Sequence, residues 1–392
     1  MPQRMLRVIE TVIDHLQPSA LWIDAVCIPQ TEPERSSALM RMGEIYANAS
    51  IVCVVLSEEC HEVLSTIQTS ERITQHQLDI LDRDSWVSRV WTYPELVNSS
   101  RIRFIAEGAP DVSVEAIDVL NQVGTAIHRY KEEKNLGAFT FRKMYPNVDS
   151  LEDAIVDWRV AEYGERFAYQ VMSAMANRRC RIPEERYIAM LSALTVSPTP
   201  NDTEFAYSFI AHCQSKQDFS YLFSAAPRRS EGGSSWEPTG DHLWKPVFPW
   251  HCWGKKQSGY LKEERLYLEN LFLPKPGPLC EEAVVFLKAH VLKQNVISEE
   301  LDLPWLVFSQ LKEAGLEGVS ECMETPQGLM YSSFALPEKR NGIQIAVSTE
   351  IRSALGGPCL ILTESNLDTF ECLGAGFFVG KVPKIGQSVL VS

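Results

Sequence analysis

The first hundred residues alternate between two hydrophobic patterns, and that alternation constrains the fold more than any other feature. Met5, Val8, Ile9, Val12, Ile13 and Leu16 recur at helical spacing and predict an amphipathic helix over residues 4–17. Leu21–Ile28 (LWIDAVCI) then runs apolar with one acid inside it, the pattern of a strand buried on both faces of a parallel sheet. Ser36–Asn48 predicts a second helix, with Leu39, Met42, Ile45, Tyr46 and Ala49 on one side. Ile51–Leu56 (IVCVVL) reads as the next strand, residues 58–83 as polar helix, Trp86–Val97 as helix and Arg101–Ala106 (RIRFIA) as a strand. Helix and strand taken in turn imply an α/β layer built on a parallel sheet.

Beyond that point the patterning changes. Val112–Ala193 reads as mostly helical, most strongly over Leu151–Asn177 and Glu184–Leu194. Ser197–Asp202 breaks the pattern, and Asp202 or Thr203 is suited to cap a helix running to Cys213. Arg228–Asp241, rich in Gly and Ser, has the composition of a linker. A helix is expected over Glu281–Lys293, then short strands at Ile343–Val347, Cys359–Thr363, Phe377–Val379 and Val389–Val391, with Gly374-Ala375-Gly376 as a turn. The expected organisation is an α/β domain over 1–110, a helical region over 111–228, a linker over 229–241 and an α+β region, rich in short strands, over 242–392. At 392 residues the chain exceeds one hydrophobic core, which agrees with several units.

Charge and composition narrow the function classes. A net charge of −14 disfavours nucleic acid and anionic lipid as partners. The opening MPQRMLRVIE carries charges through its apolar stretch and no small-residue cleavage site, and the apolar runs are far too short to span a bilayer, so a cytoplasmic protein without membrane association is expected. Ten cysteines are scattered from Cys27 to Cys372 without a C-x-x-C. Cys60-His61, His212-Cys213 and His251-Cys252 lack a second pair at ligand spacing, so no metal site is expected and the thiols read as reduced. Phosphate-loop, zinc-protease and nucleophile-elbow motifs are missing from the sequence.

Three ordered blocks carry a specific likeness: LWIDAVCIPQ (Leu21–Gln30), ERSSALMRMGEIYANASIVCVVLS (Glu34–Ser57) and WVSRVWTYPELV (Trp86–Val97). A fourth, RRCRIPEERYIAMLSAL (Arg178–Leu194), follows downstream. Together they resemble the fungal heterokaryon-incompatibility (HET) domain, whose fold is similar to the flavodoxin-like TIR domain. Family members usually open with a Y-x-x-L-S-Y-x-W-G strand, which does not precede the first helix in this sequence, and Pro94 stands where glutamine is common. The resemblance therefore implies an incomplete TIR-like parallel sheet with helices, followed by the helical and β-rich regions.

Some TIR domains cleave NAD, and the resemblance extends that chemistry to particular residues. Glu95 would be the catalytic carboxylate, with Trp91, Asp24, Ser57 and Arg89 binding substrate. A carboxylate is suited to stabilise the oxocarbenium-like state formed as the nicotinamide–ribose bond breaks. Each residue also has a plainer reading: Thr92 and Glu95 form a capping box, Trp91 and Trp22 fill the core, Asp24 pairs with Arg35 or Arg89, and Arg89 lies at the surface. If the site is active, NAD is the substrate the resemblance implies; no cofactor is expected. The missing strand makes weak or absent NAD cleavage the expectation. The function implied is self/non-self recognition or cell-death signalling, with protein partners and a homo-oligomer formed through the amino-terminal domain. The competing reading is a non-catalytic interaction protein whose C-terminal region binds a protein or small ligand, resting on Trp236, Trp244, Trp250 and Trp253.

Overall fold

The computed structural model describes residues 3–160, 165–195, 205–229, 235–240, 242–263, 265–292, 302–337, 342–366 and 369–391. The chain forms two compact units, one of residues 1–164 and 177–201, the other of residues 165–176 and 202–392. This division differs from the boundaries expected at 110 and over 229–241.

The first unit holds α1 (Gln3–Leu16), α2 (Asp24–Cys27), α3 (Glu34–Met40), α4 (Met42–Asn48), β1 (Val52–Leu56), α5 (His61–Gln68), α6 (Gln75–Arg83), α7 (Thr92–Asn98), β2 (Ile102–Ala106), β3 (Ala109–Glu115), α8 (Ala116–Glu133), α9 (Ala138–Met144) and α10 (Pro146–Val160). After α11 (Ala168–Ala176), which belongs to the second unit, the chain returns with α12 (Pro183–Leu194). Strands β1 and β2 pair in parallel from Val52–Ile102 to Leu56–Ala106, as the two β-branched runs predict. Their crossover contains α5, α6 and α7, as a parallel pair requires. Helix α6 opens with a reciprocal capping box: Thr74 Oγ1 accepts from the Gln77 amide at 3.3 Å, and Gln77 Oε1 accepts from the Thr74 amide at 2.8 Å.

Four expectations fail here for identifiable reasons. Leu21–Ile28 is no buried strand. It holds the single helical turn α2, and Val26 is 56% exposed. The amides of Cys27 and Ile28 donate to the carbonyls of Ile23 and Asp24 at 2.7 and 3.0 Å, while Asp24 Oδ1 accepts from Ala25 N at 2.7 Å. An apolar run of this length cannot distinguish strand from helical turn by periodicity, and an aspartate that binds its neighbour's amide favours the turn. The helix expected over Ser36–Asn48 is broken at Arg41 into α3 and α4. The helical reading from Val112 misses β3, where buried Val112 and Val114 alternate with Asp111, Ser113 and Glu115 in the period of a strand. Gly108, at φ +73°, supplies the turn that folds β3 back antiparallel onto β2. The helix expected from Trp86 begins only at Thr92, because residues 88–90 bond to the chain before α12: Arg179 N donates to Ser88 O at 2.6 Å and Val90 N to Arg179 O at 3.0 Å.

The second unit contains α11, α13 (Phe205–Ser215), β4 (Trp253–Gly254), β5 (Gly259–Lys262), β6 (Arg265–Phe272), α14 (Glu281–Leu287), α15 (Leu303–Glu313), β7 (Cys322–Thr325), β8 (Gly328–Ser332), β9 (Ile343–Ser348), β10 (Ile351–Arg352), β11 (Gly356–Asn366), β12 (Thr369–Gly380) and β13 (Gln387–Val391). Strands β11, β9, β6, β13 and β12 follow one another in the sheet, and β11 also pairs with β12, so the sheet closes into a barrel. Met323, Met330, Ile343, Ile345, Val347, Cys359, Ile361 and Phe378 fill one core cluster. The strands expected in the tail are present. Gly374-Ala375-Gly376, expected as a turn, lies inside β12 instead, where a Cβ on Gly376 would stand 2.5 Å from Tyr331 O. Glycine there marks close strand approach.

The stretch expected as a linker is built into this unit at its described ends. Arg229 N donates to Glu237 O at 3.1 Å, Thr239 N to Pro227 O at 2.8 Å, and Trp236 is buried. Residues 230–234 and 241 lie outside the described residues, as do the expected break over 197–202 and the capping positions Asp202 and Thr203. The helix expected over Leu151–Asn177 is divided between α10 and α11, which fall in different units.

Gly43 in α4 allows a close helix contact, since a Cβ there would stand 2.7 Å from Ser192 O in α12. Gly43→Ala is expected to destabilise the first unit by about 1–3 kcal/mol. Urea unfolding followed by circular dichroism measures this, and an unchanged midpoint would show that the two helices are free to separate.

Candidate functional site

The turn ahead of α7 is organised around Trp86. Its amide donates to Asp84 Oδ1 at 2.8 Å, and its ring meets Phe104 of β2 edge-on at 5.7 Å. Its carbonyl accepts a short hydrogen bond from Thr92 Oγ1. Thr92 is therefore not the N-cap, and the capping box read from Thr92 and Glu95 does not form: Trp91 holds the cap position without a side-chain bond. The Glu95 carboxylate turns instead to Trp86 and Tyr46. Trp86 Nε1 donates to Oε2 at 2.6 Å, and the Tyr46 hydroxyl donates to Oε1 at 3.2 Å.

Charged groups complete the site. Arg89 Nη2 lies 3.9 Å from Asp24 Oδ2, an exposed pair, and both residues act on Glu95 through their charge. Trp22 packs edge-on against Tyr46, with centroids 6.1 Å apart. Burial raises the Glu95 pKa from its usual carboxylate value to about 7. The Trp86 hydrogen bond and the Arg89 charge oppose that shift, the Asp24 charge reinforces it, and the Tyr46 hydrogen bond opposes it. Some of the Glu95 side chain still touches solvent, but its two carboxylate oxygens each meet a protein donor, so the local environment of the charge is dry. Burial and the neighbouring acid push the Tyr46 hydroxyl well above its ordinary range.

Of the residues expected to bind substrate, Asp24 and Arg89 stand beside Glu95. Trp91 and Ser57 do not touch its carboxylate. Trp91 is buried, and its indole donates to Glu185 Oε2 at 3.4 Å, beyond which Glu185 forms an ion pair with Arg35. Ser57 donates its amide to Asp84 Oδ2 at 2.8 Å and reaches Trp86 only through that carboxylate. Cys60 Sγ also leans on Asp84 Oδ2 at 3.7 Å, and burial pushes its thiol to about 12, away from nucleophilic use.

A buried arginine fastens the turn from behind. Arg178 donates to Val87 O at 2.9 Å and to Ser150 O at 2.8 Å, while Arg186 donates to Arg178 O at 2.9 Å. Burial lowers the Arg178 pKa to about 10, against the pull of Tyr93, Asp153, Asp157 and Glu95. Tyr46, Trp86, Asp84 and Arg178 had not been singled out from the sequence. Three of them stand inside the recurring blocks, and that placement was the available signal. Among the described residues no cluster of His, Cys, Asp and Glu is arranged to hold a metal ion. No described helix is long and apolar enough to cross a membrane.

Residues 1–87 match the family model described as heterokaryon incompatibility protein (HET). The amino-terminal segment is similar to the HET family. The matched range contains Asp24, Tyr46, Ser57 and Trp86 and ends before Arg89, Trp91 and Glu95. No curated protein and no solved structure matches the chain. The HET segment points to a heterokaryon-incompatibility-type function.

The raised Glu95 pKa couples the cleft to folding. Its neutral form is favoured in the folded state, so the contribution is fully present below the unfolded value near 4.5 and is lost as pH rises towards about 7. Stability of the first unit is expected to fall across that window, and Glu95→Gln to flatten the dependence in urea melts between pH 4 and 8. Trp86→Phe removes the donor that lowers the pKa and is expected to move the Glu95 midpoint further up, measured by carboxyl NMR on 13C-labelled protein. A midpoint that stays put would mean the indole bond contributes nothing.

Proposed function

We propose that the chain is a self/non-self recognition or cell-death signalling protein of the heterokaryon-incompatibility type, acting through the cleft at Glu95. One observation carries this reading: the four blocks that are separate in sequence meet at one place. Trp22 and Asp24 come from the first block, Tyr46 from the second and Trp86, Arg89 and Glu95 from the third, while Arg178 and Glu185 of the fourth hold the turn between them. A cytoplasmic location, protein partners and self-association through the amino-terminal unit belong to this reading. Induced expression of the full chain in a fungal host is expected to arrest growth, and paired Asp24→Ala and Arg89→Ala to relieve the arrest. Undisturbed growth at a verified expression level would count against it.

A finer reading, NAD glycohydrolase chemistry at Glu95, is supported by a carboxyl with a strongly perturbed pKa beside a second acid and an arginine. Slow or undetectable cleavage is expected, because both Glu95 oxygens are already engaged by the protein's own donors. Chromatographic detection of nicotinamide settles the matter: fast release that vanishes in Glu95→Ala makes the protein an enzyme. An interaction module in the C-terminal region is the competing proposal, favoured by half-exposed Trp253 and by Tyr260, itself exposed and stacked on Tyr267 at 4.8 Å.

A further inference from the structure

The two donors at Glu95 are not equivalent. An indole N–H can only donate, so the oxygen facing Trp86, Oε2, must accept in every protonation state. A hydroxyl can donate or accept, so the oxygen facing Tyr46, Oε1, is where a carboxyl proton meets a partner able to accept it. We infer that Tyr46 and Trp86 are positioning residues that lodge a proton on Glu95 Oε1 and make the Tyr46–Glu95 hydrogen bond a reversible switch between an acid form and a carboxylate form of the cleft. In the acid form Glu95 donates to the Tyr46 oxygen, and the Tyr46 hydroxyl hydrogen turns away from Oε1. On deprotonation the O–H bond of Oε1 breaks, its electron pair stays on the carboxylate, the proton passes to water, and Tyr46 turns back to donate.

The surroundings support a switch rather than a fixed charge. Asp24 on α2 disfavours a second anion, while Arg89 in the turn and Arg178 ahead of α12 favour it. Arg178 is shared with Asp153 and Asp157 of α10, and Arg89 with Asp24, so neither cation is committed to Glu95. The Glu185–Arg35 pair lies beyond Trp91 and neutralises itself. Burial, set against the Trp86 hydrogen bond and these opposing charges, leaves the two forms close in energy near neutrality, in keeping with the position of the Glu95 pKa.

This inference deepens the Glu95 reading and rests on it for its consequence. Stabilising an oxocarbenium-like state needs the carboxylate, so the acid form is the inactive form of the cleft. NAD cleavage would then rise about tenfold per pH unit below neutrality and level off above it.

The test uses the full chain with its nine tryptophans 15N-labelled at the indole. The Trp86 resonance, assigned by its loss in Trp86→Phe, is expected to move as pH rises through about 7, because a carboxylate accepts more strongly than a neutral acid. Glu95→Gln places an amide N–H where the inferred proton sits and keeps an oxygen for Trp86. It is expected to hold that resonance at its low-pH position from pH 5 to 9. A resonance in the wild-type chain that does not titrate in this range, or a Glu95→Gln resonance at the high-pH position, overturns the switch. Should Trp86→Phe not fold, the resonance whose pH dependence disappears in Glu95→Gln serves as the assignment. Undetectable NAD cleavage at every pH, with the titration intact, would sink the hydrolase reading and leave the switch standing.

Discussion

The cleft depends on the seating of one side chain, Trp86. Its ring rests on Phe104 of β2, its amide is held by Asp84, its carbonyl receives Thr92, and its indole is given to Glu95. Each contact uses a different part of the residue, so the sheet, the loop after α6 and the start of α7 are fixed to one another through it. Removing the indole takes from Glu95 Oε2 the donor it faces. The position of Glu95 is thus a consequence of sheet packing and not of helix capping.

Behind Trp86, the buried Arg178 guanidinium secures neighbouring backbone by donating to two carbonyls, on Val87 and Ser150. Its charge is balanced by the acids around it. Glu95 is one of them. The cleft is therefore electrically coupled to the helices packed beneath it, and a change of charge at Glu95 is felt by the residue that holds the turn together.

The second unit solves a different problem. Long β11 and β12 pair with one another and with further partners, so the sheet closes and few strand edges are left open among the described residues. Glycines at strand crossings such as Gly376 allow that approach. The unit's amino-terminal helix α11 is drawn in by buried Asp218, which accepts from Ala168 N at 2.7 Å, and by Ser220 Oγ, which accepts from Tyr169 N at 3.0 Å. A short segment thereby joins a unit whose other elements begin some forty residues later in the sequence.

Local pattern was enough to place the parallel strands β1 and β2, the amphipathic α1, the helix before Leu194 and the strands of the tail, because burial on one or both faces writes its period directly into the chain. The resemblance to the HET domain, not local pattern, put Asp24, Arg89 and Glu95 forward. Tertiary contact decided the rest. LWIDAVCI has strand-like composition, but Asp24 binding its neighbour's amide makes a turn of it. Thr92 and Glu95 have the spacing of a cap, but Trp86 claims both side chains from outside the helix. The pairing of residues 88–90 with Arg179, about ninety positions away, shortened a helix that propensity would have extended. Sequence carries the period of burial; it does not carry the identity of the distant donor that finally satisfies a buried polar group, and in this protein those donors set the site.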